Sequence, residues 1–575
     1  MMESSQLQIA KTELHVENGC VVAAQPLAAQ AGAQILADGG NAVDAAVATA
    51  FALAVVEPMM SGLGGGGALL VDLANGGGQH GIDFHPRAPM AASPSMFALD
   101  RARSSVGMYG WPAVVDDANL LGHRAAGVPG AVAGLCRALE KWGRLSLAQV
   151  MAPAIELAQE GFEPDWFLSA MVAADGREIR RWPALAQVFL PDGLPPPARI
   201  RSYLAAPRLR QPDLARTLHR IASQGAAEFY HGETAQLIVD EMARRGGLLG
   251  RADLAAYRPI EYDGLREVSY RQITISSIPS PNGATTMLQA LNLLEGFDLA
   301  GEGFLSAAAL HLIAEAQRLA FADRFAHLTD PAVAAVPLDG LLSKQYAAQR
   351  RRLIDPRRAA AHPMPGDPWP FDPHGGTLGA NPSGREREGG HTTHLCVVDR
   401  ERNMVSLTNT LLDLWGSHVM VERTGVLLND AMAWFDPLPN RINSIASGKR
   451  PLWAGSPVLA RRDNRPWLAL GAPGGRRIIS AVLQVLLNLI DYQRGPQDAV
   501  AAPRIHAEGA TLELDSRLHA QAAAHLRALG HQVQQSEESF LVANFARPVA
   551  ITIEPTHPQL RSGVDVLRPA TAVGF

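Results

Sequence analysis

The stretch that most limits what this chain can fold into is Gly389-Gly390-His391-Thr392-Thr393-His394-Leu395-Cys396-Val397-Val398-Asp399. Residues 356–390 before it are rich in Pro, Gly and charge and show no apolar periodicity. After it come a polar turn at 400–403 and Met404-Val405-Ser406-Leu407-Thr408-Asn409-Thr410, so the pattern is strand, turn, strand. An irregular approach that ends on a threonine at the head of a hairpin suggests a place where the chain is cut. Cleavage there makes Thr392 an N-terminus, and a threonine with a free α-amine carries a base for its own hydroxyl. With the turn centred on Glu401, Thr392 and Thr410 lie equally far from it and face each other across the ladder. Threonine is also simply common in strands, and spacing alone leaves both readings open.

A chain of 575 residues has room for two ordinary domains or one large layered one. It is 47% hydrophobic and 19% charged with a net charge of −5, which fits a globular protein and gives no sign of a nucleic-acid or anionic-membrane partner. Cys20, Cys136 and Cys396 are far apart and odd in number, so neither a disulfide framework nor a metal-type cysteine pair is expected. The first residues lack a basic and an apolar signal region, and the apolar run 45–56 is too short to span a bilayer. The expectation is a cytoplasmic protein.

Along the chain, a strand is expected at 16–24 and Ala-rich helices at 26–36 and 42–55, the second capped by Asn41 with Asp44 three residues on. Gly62-Leu63-Gly64-Gly65-Gly66-Gly67 formally matches a dinucleotide fingerprint. It follows a helix and leads into a strand, the reverse of the required order, so the glycines are read as letting backbone pass close to something buried. Further helices are expected at 130–140, 147–160, 213–222, 233–245, 253–256, 284–295, 305–327, 342–354 and 477–492. Strands are expected at 68–71, 79–84, 268–278, 425–429, 467–470, 510–514, 531–535, 540–543 and 549–554. Alternating helical and strand blocks imply stacked α and β layers, with the hairpin in a central sheet. The Gly474-Gly475 turn before a helix offers backbone N–H groups to an oxyanion, or is an ordinary strand-to-helix turn. His391 and His394 lack an acidic or cysteine partner and make a poor metal site. Cys396 reads as a packed core residue and Asp399 as a turn residue.

Four blocks together resemble the γ-glutamyltransferase family of self-cleaving N-terminal-nucleophile enzymes: Gly39–Ala46 through Glu57-Pro58 to the glycines ending at Gly67; Thr392-Thr393-His394 with Val397-Val398-Asp399; Gly448-Lys449-Arg450-Pro451; and Pro473-Gly474-Gly475. The likeness runs from about residue 20 to the C-terminal Phe575. It implies an α/β fold of the four-layer αββα type and a precursor that divides into a large subunit, 1–391, and a small one, 392–575. It further implies that residues 356–391 form a flexible segment before the cut, that the two fragments stay associated, and that a homodimer of processed heterodimers is one assembly open to them. By resemblance, Thr392 is the nucleophile, freed by attack on the His391 carbonyl. Thr410 orients it, and Gly474 and Gly475 form the oxyanion hole. The implied reaction passes an acyl group from an amide to Thr392 and then to water or an amine, with neither cofactor nor metal. An α-amine with an ordinary pKa of roughly 7.7–8.0 suits a base at neutral pH.

The positions that hold the glutamyl head depart from the family. The arginine for its carboxylate falls at His85, with Arg87 two residues on as a substitute. The asparagine after the second threonine is Leu412, the acidic residue for the ammonium is Trp434, and the paired serines are Trp453 and Ala454. A free glutamyl head left without partners for either charge costs several kcal/mol. Three readings stand: cleavage of a γ-glutamyl, glutathione-type amide through substitute contacts; an amidohydrolase or acylase on the same frame for a smaller or less polar acyl group; and a non-catalytic relative.

Overall fold

The computed structural model describes residues 9–74, 76–103, 111–197, 207–376, 391–554 and 559–575. At its centre is the hairpin of His391–Val398 and Met404–Leu412. Its side chains alternate as a pleated strand requires: Leu395, Val397, Val405 and Leu407 enter one apolar core, and Cys396, Val398 and Met404 enter another. Both faces are therefore covered.

The hairpin lies inside a seven-stranded antiparallel sheet ordered Thr571–Gly574, Cys20–Ala23, His391–Val398, Met404–Leu412, Gly66–Leu73, Gly78–Asp83, Ile260–Tyr262. A second antiparallel sheet of seven runs His15–Val16, Leu560–Val564, Val549–Ile553, Arg465–Gly471, Val458–Arg462, Ile273–Ser277, Arg266–Tyr270. Cys20, Val22 and Val398 of the first sheet pack on Leu459, Ala469 and Ile551 of the second. Helices including Pro26–Ala37 and Ala42–Val56 cover the outer face of the first sheet. Ala284–Leu294, Ala307–His327 and Arg477–Ile490 cover that of the second. The αββα sandwich expected from the sequence is the fold observed.

Helix Ala42–Val56 is buried at every residue, in keeping with its lack of a polar face. Asn41 and Asp44 form the expected capping box, the Asn41 side chain accepting from the Val43 and Asp44 N–H groups. Asp399 turns out to do more than shape a turn. One of its carboxylate oxygens accepts the Asn403 N–H and the other accepts the Ala42 N–H, each at 2.9 Å, so the hairpin turn also caps this helix.

The glycine run lies against the hairpin, as its reading implied. A Cβ on Gly65 would stand 2.3 Å from the Thr410 carbonyl oxygen, and one on Gly67 only 1.9 Å from that of Thr408. Other expectations need correction. The single strand at 268–278 is a hairpin, Arg266–Tyr270 and Ile273–Ser277, turning at Arg271 and Gln272 with φ of 48° and 67°. No strand forms at 540–543. Helices Trp166–Ile179, Pro183–Phe189 and Ala520–Ala528 and strands Val458–Arg462, Leu560–Val564 and Thr571–Gly574 are additional to those expected. Of the stretch before the hairpin, 377–390 lies outside the described residues; earlier, Trp369–Phe371 forms a short helical turn with Trp369 buried.

Candidate active site

The ladder of the central hairpin pairs Thr393 with Asn409 and continues in step to Val398 with Met404, the register of a turn centred on Glu401. It slips by one residue between His391 and Thr393, so that His391 faces Leu412. This bulge re-aims Thr392 at the end of its strand. Thr392 is 3% exposed, and its Oγ1 lies 3.1 Å from Thr410 Oγ1. Thr410 Oγ1 also donates to the His391 carbonyl oxygen at 2.8 Å and accepts the Leu412 N–H at 2.8 Å. A hydroxyl has one proton to give. With the Thr410 proton on the His391 carbonyl, the Thr392 hydroxyl is the donor between the two threonines, and its proton already points at a neighbouring oxygen.

The His391 ring is held in turn, its Nδ1 3.0 Å from Asp413 Oδ1. The Asp413 N–H donates to Asp430 Oδ1 at 2.9 Å. Burial, and then the Asp413 charge, push the Asp430 carboxyl well above the usual carboxylate range. Leu412 and Trp415, which bracket Asp413, have φ of 91° and 63°, strained values that aim this turn back at His391.

Behind Thr392, Thr393 Oγ1 bonds Glu57 Oε2 at 2.7 Å. Burial raises the Glu57 carboxyl to about 8. His394 lies between the sheets, its Nδ1 2.9 Å from Thr408 Oγ1 and its Nε2 3.3 Å from Ser406 Oγ, while Ser406 Oγ donates to the Leu470 carbonyl of the second sheet. Burial pushes its imidazole down to about 3, so it is neutral. Cys396, a buried core thiol, sits 3.5 Å from His394 Nε2.

Gly474 and Gly475 have φ of 133° and 59°. Such values favour glycine, and at Gly474 a Cβ would also come within 2.5 Å of the Ala546 Cα. Among the described residues, neither glycine's N–H donates to a partner. Gly474 and Thr392 line one small cavity together with Glu57, Phe167, Arg547 and Arg568.

The positions expected to meet a glutamyl head form a different arrangement. The His85 ring stacks on Trp453 at 4.7 Å and leans on Trp434 at 5.6 Å. Leu412, Trp434 and Trp453 belong to the apolar core between the sheets, and His85, Ala454 and these three are each at most 2% exposed. Neither His85 ring nitrogen has a hydrogen-bond partner, and burial holds the imidazole well below its usual range. The space is filled by rings. Arg87 is not brought to this group: its guanidinium lies 5.6 Å from the Tyr257 ring and donates to the Arg258 carbonyl. The cation beside His85 is Arg450, which is spoken for by Asp83 at 2.6 Å and Asp330 at 2.8 Å.

Among the described residues, one cluster has metal-ligand character: His311, Glu315 and His531 in the outer helical layer of the second sheet. His311 Nδ1 and His531 Nε2 bond each other at 2.8 Å, and Glu315 holds Arg318 at 2.7 Å, so these groups satisfy one another. Glu57, Asp413, Asp430 and Arg568 were not singled out as site residues from the sequence. Glu57 carried a signal, as the one carboxyl closing a wholly apolar helix; the others sit in turns and loops, which carry no periodicity.

The sequence matches the Gamma-glutamyltranspeptidase family over residues 28–573. The chain belongs to that family. It is 40% identical over 520 residues to the acylase ACY 1 proenzyme of Pseudomonas sp. (strain SE83), covering 90% of this chain and 88% of that one. It is 34% identical over 561 residues to the glutathione hydrolase proenzyme of Bacillus subtilis (strain 168), covering 97% and 92%. The crystal structure of cephalosporin acylase from Bacillus halodurans matches with a TM-score of 0.85 at 29% identity, over 100% of this chain and 99% of that one. In the family members that match, the names thus include both acylases and glutathione hydrolases, and both kinds are named as proenzymes. Among the described residues of this member, no helix is long and apolar enough to cross a membrane.

Proposed function

We propose that this family member is a self-processing acylase whose nucleophile is Thr392 and whose acyl group is not a free γ-glutamyl head. The observation that carries the reading is the arrangement of the two threonines on the His391 carbonyl: the Thr392 hydroxyl is aligned on Thr410, and Thr410 donates to the carbonyl that Thr392 must attack. Attack by Oγ1 on the His391 carbonyl carbon, with proton transfer to the Thr392 nitrogen, breaks the C–N bond and leaves an ester. Water then cleaves the ester, giving a carboxylate on His391 and a free α-amine on Thr392. In the processed enzyme that amine takes the Oγ1 proton as the oxygen attacks a substrate amide. The Gly474 and Gly475 N–H groups face the developing oxyanion, the departing amine takes up the proton, and the acyl-threonine passes to water or to an acceptor amine.

The ring-filled group of His85, Trp434 and Trp453 supports the non-glutamyl assignment, since it offers no paired charge to a substrate carboxylate or ammonium. A γ-glutamyl, glutathione-type amide remains the second reading, favoured by the identity to glutathione hydrolase proenzymes. Denaturing mass spectrometry tests the processing: the expected result is two fragments, the smaller beginning at Thr392, and one intact chain for Thr392→Ala. A cut and active Thr392→Ala protein overturns the assignment. Efficient turnover of a γ-glutamyl anilide by the wild-type enzyme would favour the second reading over the first.

A further inference from the structure

The cavity at Thr392 is lined by a guanidinium that no carboxylate contacts directly. Of the two arginines lining it, Arg547 is engaged: it pairs with Glu538, lies 3.7 Å from Asp565 and donates to the Val542 carbonyl. Burial raises the Glu57 carboxyl to about 8 against the pull of Arg568, so it is a weak counter-charge. Arg568 differs from both. Its guanidinium lies over the Phe167 ring, 4.5 Å from the centroid, and donates to the Phe540 carbonyl. Among the described residues, no carboxylate comes within 4.0 Å of it. Asp565, Glu538 and Glu57 act on it only at longer range, and a planar carboxylate is the partner its fork fits best.

Besides its charged neighbours, this cation has exposed apolar side chains beside it. Trp166 meets Phe167 edge-on at 5.6 Å and Phe540 at 5.4 Å. Trp166, Phe540, Leu541 and Val542 are 38%, 39%, 60% and 44% exposed. They are four of the eleven large apolar side chains exposed among the described residues, gathered around the groups that Arg568 and Arg547 hold. Scattered exposed apolar residues need no explanation, whereas a cluster at the rim of a cavity does. Phe167 and Arg568 line the cavity with Thr392, whereas His85, Trp434 and Trp453 do not.

We infer that this cavity recognises a carboxylate carried on an otherwise apolar amide, with Arg568 binding the carboxylate and Trp166, Phe167 and Phe540 receiving the apolar portion. This deepens the acylase reading and rests on Thr392 being the nucleophile only where turnover is concerned. The carboxylate can belong to the acyl half or to the amine half of the substrate; the chemistry at Arg568 is the same.

Binding is measured first, on the full-length protein as purified, by calorimetric titration with 4-phenylbutyrate and with its neutral isostere 4-phenylbutanamide. The expected result is that the carboxylate binds at least about tenfold more tightly, that Arg568→Gln removes the difference and that Arg568→Lys restores part of it. Equal affinity of the two ligands for the wild-type protein overturns the inference, and that comparison needs no variant to fold. Turnover then locates the carboxylate. A higher kcat/KM for succinanilate than for butyranilide places it in the acyl half, and a higher one for 4-(butyrylamino)benzoate places it in the amine half. No preference in either pair overturns the inference. A protein that binds the carboxylate preferentially yet neither self-cleaves nor turns over any anilide keeps the Arg568 site and removes the nucleophile assignment instead.

Discussion

At the scale of single residues, the site turns on which oxygen owns which proton. Thr410 accepts from Leu412 N–H and donates to the His391 carbonyl, so losing its hydroxyl removes both the carbonyl's donor and the acceptor for the Thr392 proton. Thr410→Ala is expected to slow self-cleavage on the order of a hundredfold, with Thr410→Ser close to wild type; a time course of denaturing mass spectra decides it. Glu57 gives a pH signature. Its folded-state value of about 8 lies above the ordinary 4.5, so between those values the folded protein keeps a proton that the unfolded chain has released. Its contribution to stability is therefore full below about pH 4.5 and is lost as pH rises through 8. The melting temperature of Glu57→Gln should gain on wild type from pH 5 to pH 8.5, and a gap that stays constant with pH would show that the carboxyl is not protonated in the fold. Counting outward from the turn placed Thr392 near Thr410, and their hydroxyls do meet, but the ladder slips by one residue there and does not pair them in register. The hold of Asp413 on His391 was not legible in the sequence, because it depends on left-handed backbone at Leu412 and Trp415, residues that do not advertise such a conformation.

At the scale of elements, helices with strong caps and long apolar runs were readable nearly to the residue, as Ala42–Val56 and Leu147–Glu160 show. The 268–278 segment was misread because its turn uses Arg271 and Gln272 where Asn and Gly normally announce left-handed φ. The apolar residues at 540–542 suggested a strand, yet they stand exposed at a cavity rim, so their hydrophobicity reports a surface rather than a sheet. The strand-to-helix turn at Gly474 belongs at this scale too. With φ of 133° and Ala546 in van der Waals reach, Gly474→Ala must shift the turn or the segment facing it. The expected outcome is a large fall in kcat with the fold retained, checked by steady-state kinetics beside circular dichroism; unchanged kcat would remove the turn from the oxyanion hole.

At the scale of the whole molecule, the layer order was legible from alternating strand and helix blocks, while the strand order was not, since antiparallel neighbours here come from opposite ends of the chain. That order matters if the bond before Thr392 is cut as proposed. In the first sheet, Thr571–Gly574 follows the cut, Cys20–Ala23 precedes it, the central hairpin from Thr392 onward follows it, and the last three strands precede it. The second sheet interleaves likewise, with His15–Val16 and the hairpin ending at Ser277 flanking four strands from beyond residue 457. Two polypeptides woven in this way cannot part without unfolding, and once unfolded they must find each other. Recovery from denaturant should then be second order for the cut protein, its half-time shortening about tenfold over a tenfold rise in concentration. The uncut Thr392→Ala chain should recover at a rate independent of concentration. A concentration-independent half-time for both would mean that one fragment keeps its structure alone. Otherwise the proposed cut would make the native state persist by the slowness of its own unfolding, and a molecule that folded by itself would then last only as long as it did not come apart.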